Sequence, residues 1–198
     1  MNTNLFDLLA QTAGDRTHRV DGVVIGIVTN NRDPDGMARV RVKFPWLSGT
    51  DESWWARMAV PMAGDNRGTY FLPEVDDEVL VTFEHGDIRF PFIIGAMWNG
   101  KQPPPAKNDD GENNIRLIRS RCGHEIRLDD SDGREKIEIR DKDGHNTIVI
   151  ESAAGKITIK SQGTVQIESQ DKVIIEGTTI DIKATGPLKI KGATVDIN

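Results

Sequence analysis

Three pieces of the chain, Lys136-Ile-Glu-Ile-Arg140, Thr147-Ile-Val-Ile-Glu151 and Lys156-Ile-Thr-Ile-Lys160, share one design and decide the fold. Each carries two aliphatic residues separated by one, and in a β-strand such a pair points to a single face. The pair recurs along the whole second half, at Ile115/Leu117, Ile126/Leu128, Ile137/Ile139, Ile148/Ile150, Ile157/Ile159, Val165/Ile167, Val173/Ile175, Ile180/Ile182, Leu188/Ile190 and Val195/Ile197. This is the signature of a repeat array. Starting positions advance by eleven residues three times and then by 9, 8, 8, 7, 8 and 7, so a longer-period collar (115–155) leads into an octad section (156–198). Intervening residues such as Arg116, Glu138, Thr158, Gln166, Asp181, Lys189 and Asp196 are polar and are expected to face water. Glycines between the pairs, among them Gly133, Gly144, Gly155, Gly163 and Gly177, let the chain reverse.

A strand with one wet face cannot stand alone. Two aliphatic side chains return less free energy than ordering an eight-residue unit costs, and backbone hydrogen bonds need ladder partners. An open ribbon of ten such strands would also leave a long sticky edge. Winding several copies together removes both difficulties. A narrow axis lined by Ile and Val, with no aromatic ring to fill a wide interior, suits three facing strands. The expected inward set is Ile126, Leu128, Ile137, Ile139, Ile148, Ile150, Ile157, Ile159, Val165, Ile167, Val173, Ile175, Ile180, Ile182, Leu188, Ile190, Val195 and Ile197.

Upstream the chain changes character. Every aromatic residue, from Phe6 to Trp98, and every methionine lies in the first half. Residues 99–114, with Pro103, Pro104 and Pro105 in a row, read as a stiff linker. Within 19–98, apolar runs at Val23–Val28, Ala38–Phe44, Trp55–Val60, Thr69–Leu72, Val79–Phe83 and Phe92–Met97 have strand length and composition. Asp33-Pro-Asp-Gly36, Gly64–Gly68 and His85-Gly-Asp87 supply turns. Five or six short strands predict a small barrel, with the OB-fold and an SH3-like barrel both compatible. Ahead of it, residues 1–18 hold Leu5, Phe6, Leu8 and Leu9 at helix-like spacing, a docking helix or a frayed tail.

Net charge is −6, and residues 1–100 carry 9 basic against 14 acidic side chains, which argues against a phosphate-binding surface. The single cysteine, Cys122, cannot close an intrachain disulfide. The apolar run Leu5–Ala10 is too short and lacks the basic flank of a signal peptide, and no stretch has the ~18 apolar residues of a membrane span. A soluble protein made in a reducing cytosol is expected.

Candidate chemistry is sparse. His18, His85, His124 and His145 are scattered, without a paired histidine at ligand spacing. Cys122-Gly-His124 sketches half of a metal or nucleophile site but supplies no orienting acid, so a turn is the simpler reading. Asp129–Gly133 and Asp141–Gly144 lack the ligand alternation of a calcium loop. Glu74, Asp76, Asp77 and Glu78 form an acidic knot, read as a solvated loop, a partner contact or a carboxylate pair. Trp46, Trp54 and Trp55 suit either barrel core or an interface anchor. No catalytic residue, metal site or cofactor is assigned.

The order and spacing of several short motifs resemble a known family. They are Gly22-Val-Val-Ile-Gly-Ile-Val28, Asp35-Gly-Met-Ala-Arg39 running on to Phe44-Pro-Trp46, Trp55-Ala-Arg57, Ala63-Gly64, Phe71-Leu-Pro-Glu-Val75 with Asp77–Val81, Gly86-Asp87 and Pro91-Phe-Ile-Ile-Gly95. Together they resemble the phage baseplate assembly protein V and type VI secretion VgrG group, central spikes of contractile injection machines. The resemblance implies an all-β chain: an N-terminal OB-fold barrel, then a C-terminal intertwined trimeric triple-stranded β-helix. It implies a non-enzymatic homotrimer that plugs a tail tube and pierces the target membrane when a sheath contracts. Implied partners are a separate gp27-like hub protein, a PAAR-type tip protein, tail tube or baseplate subunits and, transiently, a membrane, with no nucleic acid. Candidate hub contacts are Leu5, Phe6, Leu9, Trp46 and Trp54; candidate tip contacts are Val195, Ile197 and Asn198. The implied place is a phage tail baseplate or other contractile injection particle, assembled after synthesis in the cytoplasm. Neither the family's hub region nor its spike lysozyme is expected in this chain, and no His-x-His tip metal motif occurs in the sequence. Two other classes are carried: an OB-fold nucleic-acid binder with an oligomerising tail, and an enzyme or adhesin on a trimeric β-stalk.

Overall fold

Alternation of buried and exposed residues sets the architecture of the computed structural model, which describes residues 19–47 and 50–196. The chain divides into two units, Met1–Lys107 and Asn108–Asn198. Both are β-structures; the described residues include one 3-10 turn, Glu84–Gly86.

The first unit comprises β1 (Val24–Asn30), β2 (Arg41–Lys43), β3 (Arg57–Met58), β4 (Ala63–Gly64), β5 (Arg67–Gly68), β6 (Glu78–Phe83) and β7 (Pro91–Met97). Five of them form one sheet in the order β2-β1-β6-β7-β3. Its two ends meet through one segment. Glu52 and Ala56 bridge to Lys43 and Val40 on the β2 side, while Arg57 and Met58 pair in parallel with Phe92 and Ile93 of β7. The sheet therefore closes on itself, which removes its free edges. Inward positions are Val28, Val42, Val79, Val81, Phe83 and Ile93, joined by Val40, Phe44, Ala56 and Ile88. A Cβ on Gly26 would lie 3.1 Å from Val81 and 3.3 Å from Val42, so glycine there lets β1 pass close to its neighbours. Buried Ser53 accepts the N–H of Val42 at 3.1 Å and donates to the carbonyl of Trp54 at 2.7 Å, so its hydroxyl is satisfied.

Two expectations change here. Thr69–Leu72 is not a strand, and Gly64–Gly68, expected as a simple reversal, is instead part of the β4–β5 hairpin. Asn66 at φ 51° makes the tight turn, and Thr69 donates to Met62 at 3.0 Å to close it.

The second unit begins with β8 (Ile115–Arg119), β9 (Glu125–Asp129), β10 (Lys136–Arg140), β11 (Thr147–Glu151) and β12 (Lys156–Lys160), a sequential antiparallel meander. No strand is assigned among residues 161–196, where Val165, Ile167, Val173, Ile175, Ile180, Ile182, Leu188, Ile190 and Val195 are all exposed. Ile197 and Asn198 lie outside the described residues.

Candidate assembly interface

Register makes the meander two-faced. Ile126 opposes Ile139 and Leu128 opposes Ile137; Ile139 and Ile137 oppose Ile148 and Ile150, which in turn oppose Ile159 and Ile157. Directly opposed residues share a face, so eight aliphatic side chains form one continuous apolar surface. That surface is open: Ile137 is 43% exposed, Ile139 46% and Ile150 39%. At β8 the face holds Ile118 and Arg116, opposite Ile126 and Leu128, rather than Ile115 and Leu117. The eleven-residue spacing misled at this strand, because the turn before β9 sets the register one residue off. Arg116 pairs with Asp130 at 2.5 Å.

The opposite face is charged and better covered. Lys136 stands across from Asp129, Glu138 from Arg127, and Arg140 from Glu125. Glu125, its carboxyl 3% exposed, takes Arg140 at 2.7 Å and Arg119 at 3.4 Å. A slip of two residues in either direction leaves a single aliphatic pair, Leu128–Ile139 or Ile126–Ile137, and sets Arg127 against Arg140 or Lys136, and Glu138 against Asp129 or Glu125. Like charges directly opposed are unfavourable. The polar face therefore reinforces the register that the apolar face favours, a signal present in the sequence as alternating charge and overlooked there.

The turns at the ends of this sheet are built by carboxylates acting locally. Asp141 accepts from the N–H groups of His145 and Asn146, and this, the Asn146 contact foremost, holds its pKa below the ordinary value. The Ser131 hydroxyl donates to Asp129 at 2.6 Å and depresses its pKa likewise. Asp129–Gly133 and Asp141–Gly144, expected as turns rather than calcium loops, are hydrogen-bonded turns. Cys122 is exposed, and Nδ1 of His124 accepts the N–H of Lys142 at 3.2 Å. Among the described residues no three His, Cys, Asp or Glu gather as a metal site.

In the barrel the tryptophans separate. Trp54 packs half-buried against the core, Trp46 is 52% exposed with its ring 6.0 Å from Phe44, and Trp55 lies under the guanidinium groups of Arg41 and Arg39 at 4.9 and 5.8 Å. Arg39 is fixed by Asp33, which accepts from its Nε and Nη2 at 2.8 and 2.7 Å and from three backbone N–H groups. Those bonds, Arg39 first, hold the Asp33 carboxyl well below the usual carboxylate range. Of the candidate hub contacts, Trp46 alone is both described and exposed; Leu5, Phe6 and Leu9 lie outside the described residues. The acidic knot is not a free solvated loop. Asp77 and Glu78 accept side-chain amides of Gln102 and Asn99 at 3.1 and 3.0 Å, two residues of the linker that sequence reasoning left unassigned. The Asn99-Gly100 turn dipeptide was the available hint.

Residues 24–98 match the type VI secretion system/phage-baseplate injector OB domain family, which covers the closed barrel. Over 125 residues the chain is 30% identical to the type VI secretion system spike protein VgrG1a of Pseudomonas aeruginosa. Residues 24–98 are thus an injector OB domain, and the chain is similar to VgrG spike proteins. That match takes in 58% of the chain and 19% of the relative. A type VI spike protein of Vibrio cholerae, VgrG3, is 34% identical over 44% of the chain and 9% of its own length. The actin cross-linking toxin VgrG1 of the same species is 26% identical over 91% of the chain and 17% of the toxin. The chain thus spans under a fifth of these curated relatives, and its barrel is an OB domain. No helix of the described residues is long and apolar enough to cross a membrane.

Proposed function

We propose that the chain is the non-enzymatic central spike of a contractile tail or injection-system baseplate, a homotrimer that plugs the tube and is driven through the target membrane on sheath contraction. The injector OB domain and the similarity to VgrG spike proteins support the spike role; symmetry and piercing are our reading. One observation carries it. The collar presents eight aliphatic residues on an open face while its charged face is the better covered one, an arrangement that is stable in water only when the apolar face meets an equivalent surface. Three copies facing inward would bury all three surfaces around one axis and present the ion-paired faces outward. Residues 161–196, with exposed aliphatics and no strand of their own, would form ladders between copies as a triple-stranded β-helix. A gp27-like hub is proposed at the barrel, with Trp46 as a contact, and a PAAR-type tip protein at the end bearing Val195, Ile197 and Asn198.

Light scattering on the intact chain tests this reading. Three times the chain mass is expected, and a monomer at micromolar concentration would refute it.

A further inference from the structure

We propose that the loop Glu74–Glu78 is the socket of a load-bearing joint: it grips residues 99–102, so that pull or thrust on the chain leaving the barrel enters the barrel core rather than peeling β7 away. The mechanical purpose rests on the spike reading, whereas the grip itself does not.

The last four residues of β7, Ile94–Met97, are exposed, and a bulge at the step between Leu80 and Val81 separates them from the buried Ile93. Only the pairs Leu80–Gly95, Val79–Ala96 and Glu78–Met97 hold that half of the strand on β6. Tension at Pro103 would open such pairs one at a time, beginning at Met97. The chain is instead fastened just past this point. Asn99 Nδ2 donates to Glu78 Oε2 at 3.0 Å, and Gln102 Nε2 donates to Asp77 Oδ1 at 3.1 Å. Between them Asn99 folds the segment into a closed turn: its Oδ1 accepts the N–H groups of Lys101 and Gln102, both at 2.9 Å, and its own N–H donates to the Gln102 carbonyl at 3.0 Å.

The socket is itself anchored in the core. Asp76 donates its N–H to the Val28 carbonyl at 2.9 Å, and Val28 donates back to Asp77 at 3.0 Å, with Val28 fully buried. The second oxygen of Asp77 accepts the N–H of Glu74 at 2.8 Å, so this carboxylate ties linker to loop. Amide-to-carboxylate bonds of this kind are charge-assisted and stronger than neutral ones. After Gln102 come three prolines, which lack N–H groups and have fixed φ, so a pull is passed to the turn without being absorbed by local unfolding.

The experiment compares the full-length chain with N99A/Q102A and with N99D, which turns a donor to Glu78 into a like charge. Amide hydrogen exchange at positions 101 and 102 should be slow in the natural sequence and roughly tenfold faster in N99A/Q102A, the loss of a little over 1 kcal/mol of bonding; N99D keeps the acceptor for these amides and loses only the bond to Glu78, so its exchange should rise less. Single-molecule pulling between handles at positions 19 and 109, in a C122S background, should rupture β7 at lower force in the variants. Unprotected Lys101 and Gln102 amides in the natural sequence would overturn the grip, and equal rupture forces would overturn its load-bearing role. Light scattering on the same samples reads assembly separately: a monomer that retains the protection and force difference sinks the spike reading and leaves the joint standing.

Discussion

The barrel and the collar use the same strand grammar and dispose of it in opposite ways. In β6 of the barrel, Val79, Val81 and Phe83 alternate with half-buried outward residues and are 0–6% exposed. In β10 of the collar, Ile137 and Ile139 alternate in the same way but are 43% and 46% exposed, while Lys136, Glu138 and Arg140 are the covered positions. The barrel supplies its own second layer by closing; the collar is one layer whose complement must come from elsewhere. A sheet needs something over its apolar face, and where one chain cannot provide it the stability belongs to the assembly.

The largest effect expected from breaking this contrast is at Ile139→Asp or Ile167→Asp, which in the proposed trimer would set three like charges on one axis. Burying unpaired carboxylates costs several kcal/mol, so the trimer should be lost outright, read as a threefold fall in mass by light scattering, while the barrel's own unfolding transition stays. Retention of the trimer would mean that the inward face has been assigned wrongly. The converse change, Ile93→Ala, hollows the barrel where exposure is 0% and should cost about 2–5 kcal/mol of barrel stability. Its assembly mass should not change. If Ile93→Ala also dissolved the trimer, the two units would not be independent in stability.

Acid should reach both regions together. Asp33 and Asp87 in the barrel and Asp129 and Asp141 in the collar are all held below the ordinary carboxylate value, by Arg39, Arg89, Ser131 and Asn146 respectively. Each is protonated more readily in the unfolded chain, so its stabilisation is complete above about pH 4 and is lost as pH falls further. Urea midpoints should be flat from about pH 5 to 8 and decline below about 4. A decline near pH 6 would point to a histidine instead.

Much of the contrast is legible in the sequence. The i, i+2 pairs gave the strands of the collar, and the aromatic boundary at Trp98 separated the two halves. Register was harder, since it depends on which turn residues count: Leu117 was placed on the face that Ile118 occupies. The short β3, the lost strand at Thr69–Leu72 and the hairpin at 63–68 follow from ring closure and turn geometry, which no local pattern encodes. The linker fared likewise, because the grip of Asp77 and Glu78 on Gln102 and Asn99 joins residues more than twenty positions apart.

A smaller effect tests the charge code of the collar. Arg127→Glu places a carboxylate opposite Glu138 and beside Asp129, which should cost about 1 kcal/mol and loosen the register. Adding Glu138→Arg should restore most of it. Cross-strand contacts read by NMR in the two variants distinguish a slipped sheet from one that is merely weaker.

The smallest effect concerns where each region keeps its backbone strain. All four collar turns that need a left-handed residue use glycine: Gly123, Gly133, Gly144 and Gly155. The barrel uses Gly22, Gly36, Gly68 and Gly86 in the same way but also holds Ala38, Asn66, Asp76 and His85 at positive φ. Asp76, at φ 74°, cannot relax, because its N–H is bound to Val28 and its neighbours grip the linker. Asp76→Gly removes a strain of about 1 kcal/mol and loses part of that gain to the greater freedom of glycine in the unfolded chain. The barrel transition should rise by about 0.5 kcal/mol, with collar and assembly unmoved. Asp76→Val, whose branched side chain fits that region poorly, should lower it by more than about 1 kcal/mol. If both substitutions were neutral, the socket would be pliant rather than strained, and its rigidity would have to come from the Val28 hydrogen bonds alone.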